Sequence, residues 1–224
     1  KEIASTPLPT LLNLPIQQCW PDDGGRFITL PCVVTQDPDT GARNIGMYRM
    51  QVFDHQTTGM HWQLQKVAAR HGRRFYEKGE RMPVSVFLGG DPVYPFCATA
   101  PLPDGLDELL LAGYLRRDSV PLVECETNNL QVPANADIVI EGYVDPTEPL
   151  RSEGPFGDHT GYYTLPEDYP AFHITAVTHR KDAVYPTTIV GQPPMEDFYL
   201  GGASVALFLP IFQMNFPEIV DIAL

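Results

Sequence analysis

The sequence predicts a mixed α+β domain built around a small barrel or curved sheet with flanking helices, and three observations carry that reading. First, 23 Pro and 18 Gly are scattered through 224 residues. Because proline breaks helix interiors, this excludes a coiled coil and an all-helical bundle, and the lack of a period excludes collagen. Second, the apolar runs are short and end in turn-type residues. Third, the segments follow one another as β, β, α, β, α, β, β, loop, β, α, with several neighbours close enough to pair antiparallel. No repeat or linker divides the chain, so residues 1–224 read as one unit.

Each element has its own local signal. Residues 27–35 (FITLPCVVT) read as a strand, the DPDTG stretch ending at Gly41 as a turn, and 45–54 (IGMYRMQVFD) as a second strand of alternating character, which makes a hairpin. From Gly59 onward, MHWQLQKVAARHG has helical spacing and stops at Gly72, a C-terminal cap. Residues 84–90 (VSVFLGG) form another strand. Asp104 is placed to cap a helix through LDELLLAGYLR, apolar at 106, 109, 110 and 113–114. Residues 121–127, 136–144 and 169–180 are β-rich, and a last helix runs from about 202 to 213.

Charge narrows the partners. With 15 Lys+Arg against 28 Asp+Glu, the net charge is −13. The chain therefore repels a phosphate backbone, and its densest basic stretch, Arg70, Arg73 and Arg74, is too short to offset that, so no nucleic acid is expected. No uninterrupted apolar stretch reaches the roughly 18–20 residues of a membrane span. The nearest, Ala203 to Phe212, contains Pro210. The opening KEIASTPLPT lacks the charged-then-apolar order of a secretory signal. Cys19, Cys32, Cys97 and Cys125 show no CxxC pairing, which fits a reducing, cytoplasmic setting.

Several residues can carry chemistry. Arg49, if its strand alternates, shares a face with Ile45 and Met47, and an arginine among apolar neighbours needs an anion. The competing reading is an edge arginine in water. EGPFGDHTGYY (153–163) surrounds Glu153, Asp158 and His159 with glycines that allow close approach of a ligand. Two carboxylates across a tight loop can converge and split their pKa values, making an acid/base site with an arginine. An acidic surface turn is the alternative. Glu108 lies beside Asp104 and Asp107 at a helix start, where capping alone explains it unless it points inward. Asn44 is the nearest amide that could join Glu108 on a hard cation. His61 and Gln65 form an i, i+4 pair on the expected helix. HExxH, GxSxG, Walker and GxGxxG patterns are absent, so zinc proteolysis, nucleophile-elbow hydrolysis and standard nucleotide binding lack support.

Taken together, NIGMYRMQ (44–51), TTGMHWQ (57–63), PLPDGLDE (101–108), VPLVECETNNLQVPANADIVIEG (120–142) and EGPFGDHTGYY (153–163) resemble the UbiD-type reversible decarboxylases that use prenylated flavin mononucleotide. The resemblance implies a split β-barrel of the FMN-binding type, here as the central part of a longer, homo-oligomeric protein. It implies an arginine and two acids as the catalytic network, falling on Arg49, Glu153 and Asp158. Arg49 would hold the substrate carboxylate or orient the acids, Glu153 would fix Arg49, and Asp158 would deliver the proton that replaces carbon dioxide.

The same resemblance implies prenylated FMN and Mn2+ as cofactors, with K+ as a further candidate. Cofactor contacts fall on Asn44, Ile45, Met47, Gln65 and Glu108, and the metal ligands on Asn44, Gln65 and Glu108. Gln65 stands where the family has histidine, and His61 is the other candidate for that ligand. The substrate class is an aromatic or α,β-unsaturated acid, with MHWQ and DHTGYY closer to members acting on hydroxylated aromatic acids. The alternative is a non-catalytic flavin-binding or assembly subunit of a carboxylase complex.

Overall fold

A computed structural model describes residues 10–223; residues 1–9, most of the stretch read for a secretory pattern, lie outside the described residues. A 3-10 turn (Leu11–Asn13) precedes β1 (Phe27–Ile28), β2 (Cys32–Gln36), β3 (Arg43–Met47), β4 (Met50–Gln51) and β5 (Thr57–Gly59). Then come α1 (Val67–Lys78), β6 (Met82–Leu88), α2 (Val93–Thr99), α3 (Glu108–Arg116), β7 (Leu122–Glu124), β8 (Gln131–Pro133) and β9 (Ile138–Val144). The chain continues through β10 (Arg151–Glu153), β11 (Phe156–Gly157), β12 (Tyr163–Thr164), β13 (Glu167–Tyr169), β14 (Ala171–His179) and α4 (Glu196–Asn215).

The centre is a six-stranded antiparallel sheet in the order β3-β2-β6-β9-β14-β5. Its edges, β3 and β5, do not pair with each other, so the sheet is open and no closed barrel forms among the described residues. Both faces are buried. Val33, Val84, Val86, Leu88, Ile138 and Ile140 pack on one side with Met60, Trp62 and α1. Their strand neighbours Cys32, Val34, Phe87 and Val139 pack on the other side with α2 and α3. Period-two alternation thus feeds two cores, which explains why the central strands read as continuous apolar runs.

Several boundaries differ from the sequence reading. The 27–35 run breaks at Pro31, which has no N–H for a ladder, so β1 pairs with β4 while β2 joins the main sheet. The 45–54 run breaks at Tyr48 and Arg49. Helix α1 begins only at Val67, leaving Gly72 inside it, and the left-handed cap is Gly79 at φ 67. His61 and Gln65 are therefore not on one helical face. Asp107, not Asp104, caps α3 by accepting the Leu109 N–H at 2.8 Å, whereas Asp104 pairs with Arg70. Helix α2 goes unread because Pro95 sits in its first turn, a position that tolerates proline. Helix α4 extends beyond both ends expected for it, so by length and composition it is the described helix apolar enough to cross a membrane.

One buried histidine ties α1 to the sheet and sets an acid limit on stability. His71 is 5% exposed, with Nδ1 3.0 Å from the Thr35 hydroxyl. Burial, aided by the Arg70 charge, lowers its pKa to about 4. The nearest carboxylate, Asp37, is already held by Arg74. An unfolded imidazole takes up its proton near 6.5, so stability present above that pH is lost as pH falls toward 4, by up to roughly 3 kcal/mol. Urea unfolding at pH 7 and pH 4.5 is expected to show a smaller loss in His71→Gln than in the parent; equal losses would remove His71 as the cause.

Candidate functional site

The break between β3 and β4 turns Arg49 inward, beneath the bend that follows β10. Its side chain is only 12% exposed. Nε donates to Glu153 Oε1 at 2.8 Å, Nη2 to Glu153 Oε2 at 3.2 Å and to Thr164 Oγ1 at 3.3 Å, and Nη1 to Asp158 Oδ2 at 3.4 Å. The guanidinium also lies 4.4 Å from the centre of the Phe156 ring, a favourable cation–π position. The three residues expected to form a network are brought together, and both readings that left Arg49 or the two acids in water give way.

The two acids differ. The Glu153 side chain is 1% exposed and also faces His61 Nδ1 at 2.9 Å. Burial alone would raise this carboxyl, but hydrogen bonds from His61 and Arg49 and the Arg49 charge bring it below its ordinary value. The Asp158 side chain is 21% exposed. It borders a cavity of about 190 Å³ lined with Trp20, Tyr162, Tyr163 and Gln192.

The bend is held by a strap from residues far earlier in the chain. Gly154, at φ 104, adopts a conformation that side chains rarely accept, and its N–H reaches Gln51 Oε1 at 2.7 Å. Asp23 Oδ1 accepts the Gly157 N–H at 2.8 Å. A Cβ on Gly157 would lie 2.3 Å from the Trp20 ring, so glycine lets the strap close over the acids. No local pattern signals these contacts. His61 was visible as a polar residue in MHWQ, but its partners were not: its ring lies tilted against Tyr169 with centroids 4.3 Å apart, and the Tyr169 hydroxyl donates to Glu167 at 2.5 Å.

A second cluster joins β3 to α3. Glu108 points inward and its Oε2 accepts the Ile45 N–H at 2.9 Å, so it is not merely a cap. Burial pushes its carboxyl up to about 7, against the hydrogen bonds it accepts. Asn44, next to Ile45, is buried, and its Nδ2 makes no hydrogen bond of normal geometry within the protein, although its side chain lies near the Tyr48 hydroxyl. Ile45 packs its side chain among Cys32, Val34 and Phe87 while its backbone N–H meets Glu108, and Met47 is half-buried. Gln65 does not join the cluster. It is exposed in the turn before α1, with Nε2 bonded to Gln63 Oε1 at 3.0 Å. Among the described residues no group of three or more His, Cys, Asp or Glu side chains gathers to hold a metal.

Residues 1–193 match the UbiD family, described as the 3-octaprenyl-4-hydroxybenzoate carboxy-lyase Rift-related domain. An uncharacterized protein of Archaeoglobus fulgidus is 57% identical over 216 residues, covering 96% of this chain and 45% of its own length. One from Helicobacter pylori is 47% identical over 211 residues, covering 94% and 34%. An evolved dimeric form of the UbiD-class enzyme HmfF from Pelotomaculum thermopropionicum, in complex with prFMN, superposes with a TM-score of 0.87 at 32% identity, covering 96% of this chain and 49% of that one. The closed form of vanillic acid decarboxylase from Sedimentibacter hydroxybenzoicus gives 0.86 at 27% identity, covering 93% and 45%. The chain spans less than half the length of these relatives.

Proposed function

Since this chain belongs to the UbiD family, we propose that it is the cofactor-binding and catalytic part of a carboxy-lyase that reversibly decarboxylates an aromatic or α,β-unsaturated acid. The observation that carries the reading is the asymmetry of the two acids around Arg49. Glu153 is buried and held by short bonds from two side chains, which suits an anchor that fixes the guanidinium. Asp158 meets Arg49 at only 3.4 Å and faces a cavity, which suits a group that moves a proton. Arg49, so oriented, is suited to holding the substrate carboxylate. The cavity is smaller than the ~300–1,000 Å³ of drug-sized sites, and its aromatic lining favours a small planar acid.

When bound, prenylated FMN would supply the electron sink for bond cleavage. Asn44, the Ile45 backbone, Met47 and Glu108 would hold the cofactor, and the Asn44 amide nitrogen, which makes no hydrogen bond of normal geometry within the protein, suits an acceptor oxygen on it. Asn44 and Glu108 offer two oxygens to a divalent cation such as manganese, but without Gln65 the ligand set is incomplete, so no step is assigned to a metal or to potassium. The open sheet is read as the split barrel of a flavin-binding domain, and the full-length protein as a cytoplasmic homo-oligomer.

The stray position of Gln65 also favours a second reading, a non-catalytic flavin-binding or assembly subunit. Both are tested on full-length protein made together with the prenylating enzyme, by absorption spectrum, metal analysis and carbon dioxide release from hydroxylated aromatic acids. Chromophore with release is expected. Chromophore without release from any aromatic or unsaturated acid would favour the second reading, in which Gln65→His should raise manganese occupancy; an already saturated parent would remove that explanation.

A further inference from the structure

Decarboxylation of a carboxylate consumes one proton per turnover. R–COO⁻ and H⁺ give R–H and CO₂, the electron pair of the broken carbon–carbon bond remaining on carbon and binding the proton. If Asp158 gives that proton, as proposed above, it must be recharged from water in every cycle, yet catalysis favours a site closed to water. A relay is needed between the reacting side and the solvent side.

One titratable group, His159, both hydrogen-bonds Asp158 and reaches solvent. The Asp158 Oδ2 faces Arg49, which does not release protons near neutrality. Its Oδ1 accepts both the backbone N–H of His159 at 2.8 Å and the ring Nδ1 of His159 at 2.8 Å. The His159 side chain is 55% exposed, so its far edge meets water. The carboxyl thus stands between the cavity on one side and an exposed imidazole on the other. His61 cannot serve in this place, because it is bonded to the buried anchor Glu153.

We propose that His159 recharges Asp158, passing a solvent proton from Nδ1 to the carboxylate after each protonation of the product. The step balances: the imidazolium N–H breaks as the Asp158 O–H forms, the neutral ring then regains a proton from water, and nothing is oxidised or reduced. The inference rests on Asp158 being the donor.

The surroundings favour a protonated ring. The charged groups facing His159 are Asp158 on its own segment and Asp197 and Glu196 from the first turn of α4, with Asp197 Oδ2 at 3.7 Å. The hydrogen bond that Asp158 accepts from the ring, then the charges of these acids, raise the pKa of the ring above its ordinary value. Arg49 stands on the opposite side of Asp158.

The test uses full-length protein. In the cofactor-free form, NMR titration should put the His159 midpoint above about 6.5, and Asp158→Asn should lower it. In the loaded enzyme, His159→Ala should lower turnover and the rate of deuterium entry from solvent into product on the order of 100-fold. Added imidazole should restore much of the loss, which a merely structural role would not allow, and His159→Gln, with no titrating group, should behave like His159→Ala without imidazole. Turnover within twofold of the parent across pH 6–8 in both variants, or a loss that imidazole does not repair, would overturn the relay. The two failures are separable. An active Asp158→Asn removes Asp158 as donor, whereas an inactive Asp158→Asn beside an active His159→Ala removes only the relay.

Discussion

Asp158→Asn in the full-length protein is expected to lose turnover by about 10²–10⁴-fold, the usual contribution of a positioned proton donor, while keeping the flavin and the fold. The substitution is nearly isosteric. It preserves an acceptor for the His159 N–H groups and changes a side chain that is partly exposed, so the effect on stability should stay below about 1 kcal/mol. An amide, however, has no proton to give at neutral pH. Loss of turnover with an unchanged flavin spectrum and melting temperature is the pattern that assigns the proton step to Asp158. Turnover within a few-fold of the parent would show that the proton reaches carbon by another route.

Glu153→Ala is expected to act first on stability. It leaves the Arg49 guanidinium, 12% exposed, without its closest anion, and strips His61 of its carboxylate partner. Breaking a buried pair by removing one member typically costs about 3–5 kcal/mol, because the remaining charge stays desolvated. At ~2–4 °C per kcal/mol for a domain of this size, the melting temperature should fall by roughly 6–20 °C. Replacing the pair together, as Arg49→Met with Glu153→Leu, should recover most of that loss while abolishing activity, since a buried ion pair is seldom more stable than an apolar pair of similar volume.

The sign with pH follows from the direction of the shift. A carboxyl held below its ordinary value contributes stability that is fully present above that value and is lost as pH falls from it through the lower value of the folded state. Glu153→Gln should therefore flatten the acid side of the stability profile as well as lower its plateau. An unchanged melting temperature in Glu153→Ala would mean that Arg49 is not held as the distances imply.

Much of the frame was legible locally. The Asp-Pro-Asp-Thr-Gly turn joins β2 to β3 as expected, and the apolar runs of β6 and β9 lie in the central sheet. The five-residue spacing of Glu153 and Asp158 across glycines did bring both acids to Arg49. What misled was the MHWQ segment. Its spacing suits a helix, yet the Met60 N–H bonds the Pro170 carbonyl, which extends the chain beside β14 and delivers His61 to Glu153. A hydrogen bond to a residue so distant in sequence overrides a local preference worth only tenths of a kcal/mol per residue.

The sequence by itself determined the chemical inventory: an arginine, two acids on a glycine-rich bend, and the residue types of a UbiD-family chain. Tertiary structure alone decided that Glu153 is buried against Arg49 while Asp158 is partly exposed, that His61 bonds Glu153, and that Gln65 stands apart from Asn44 and Glu108. The physical reason is that the role of a carboxyl depends on its burial and partners. Those are set here by Trp20, Asp23 and Gln51, more than a hundred residues before the bend they close.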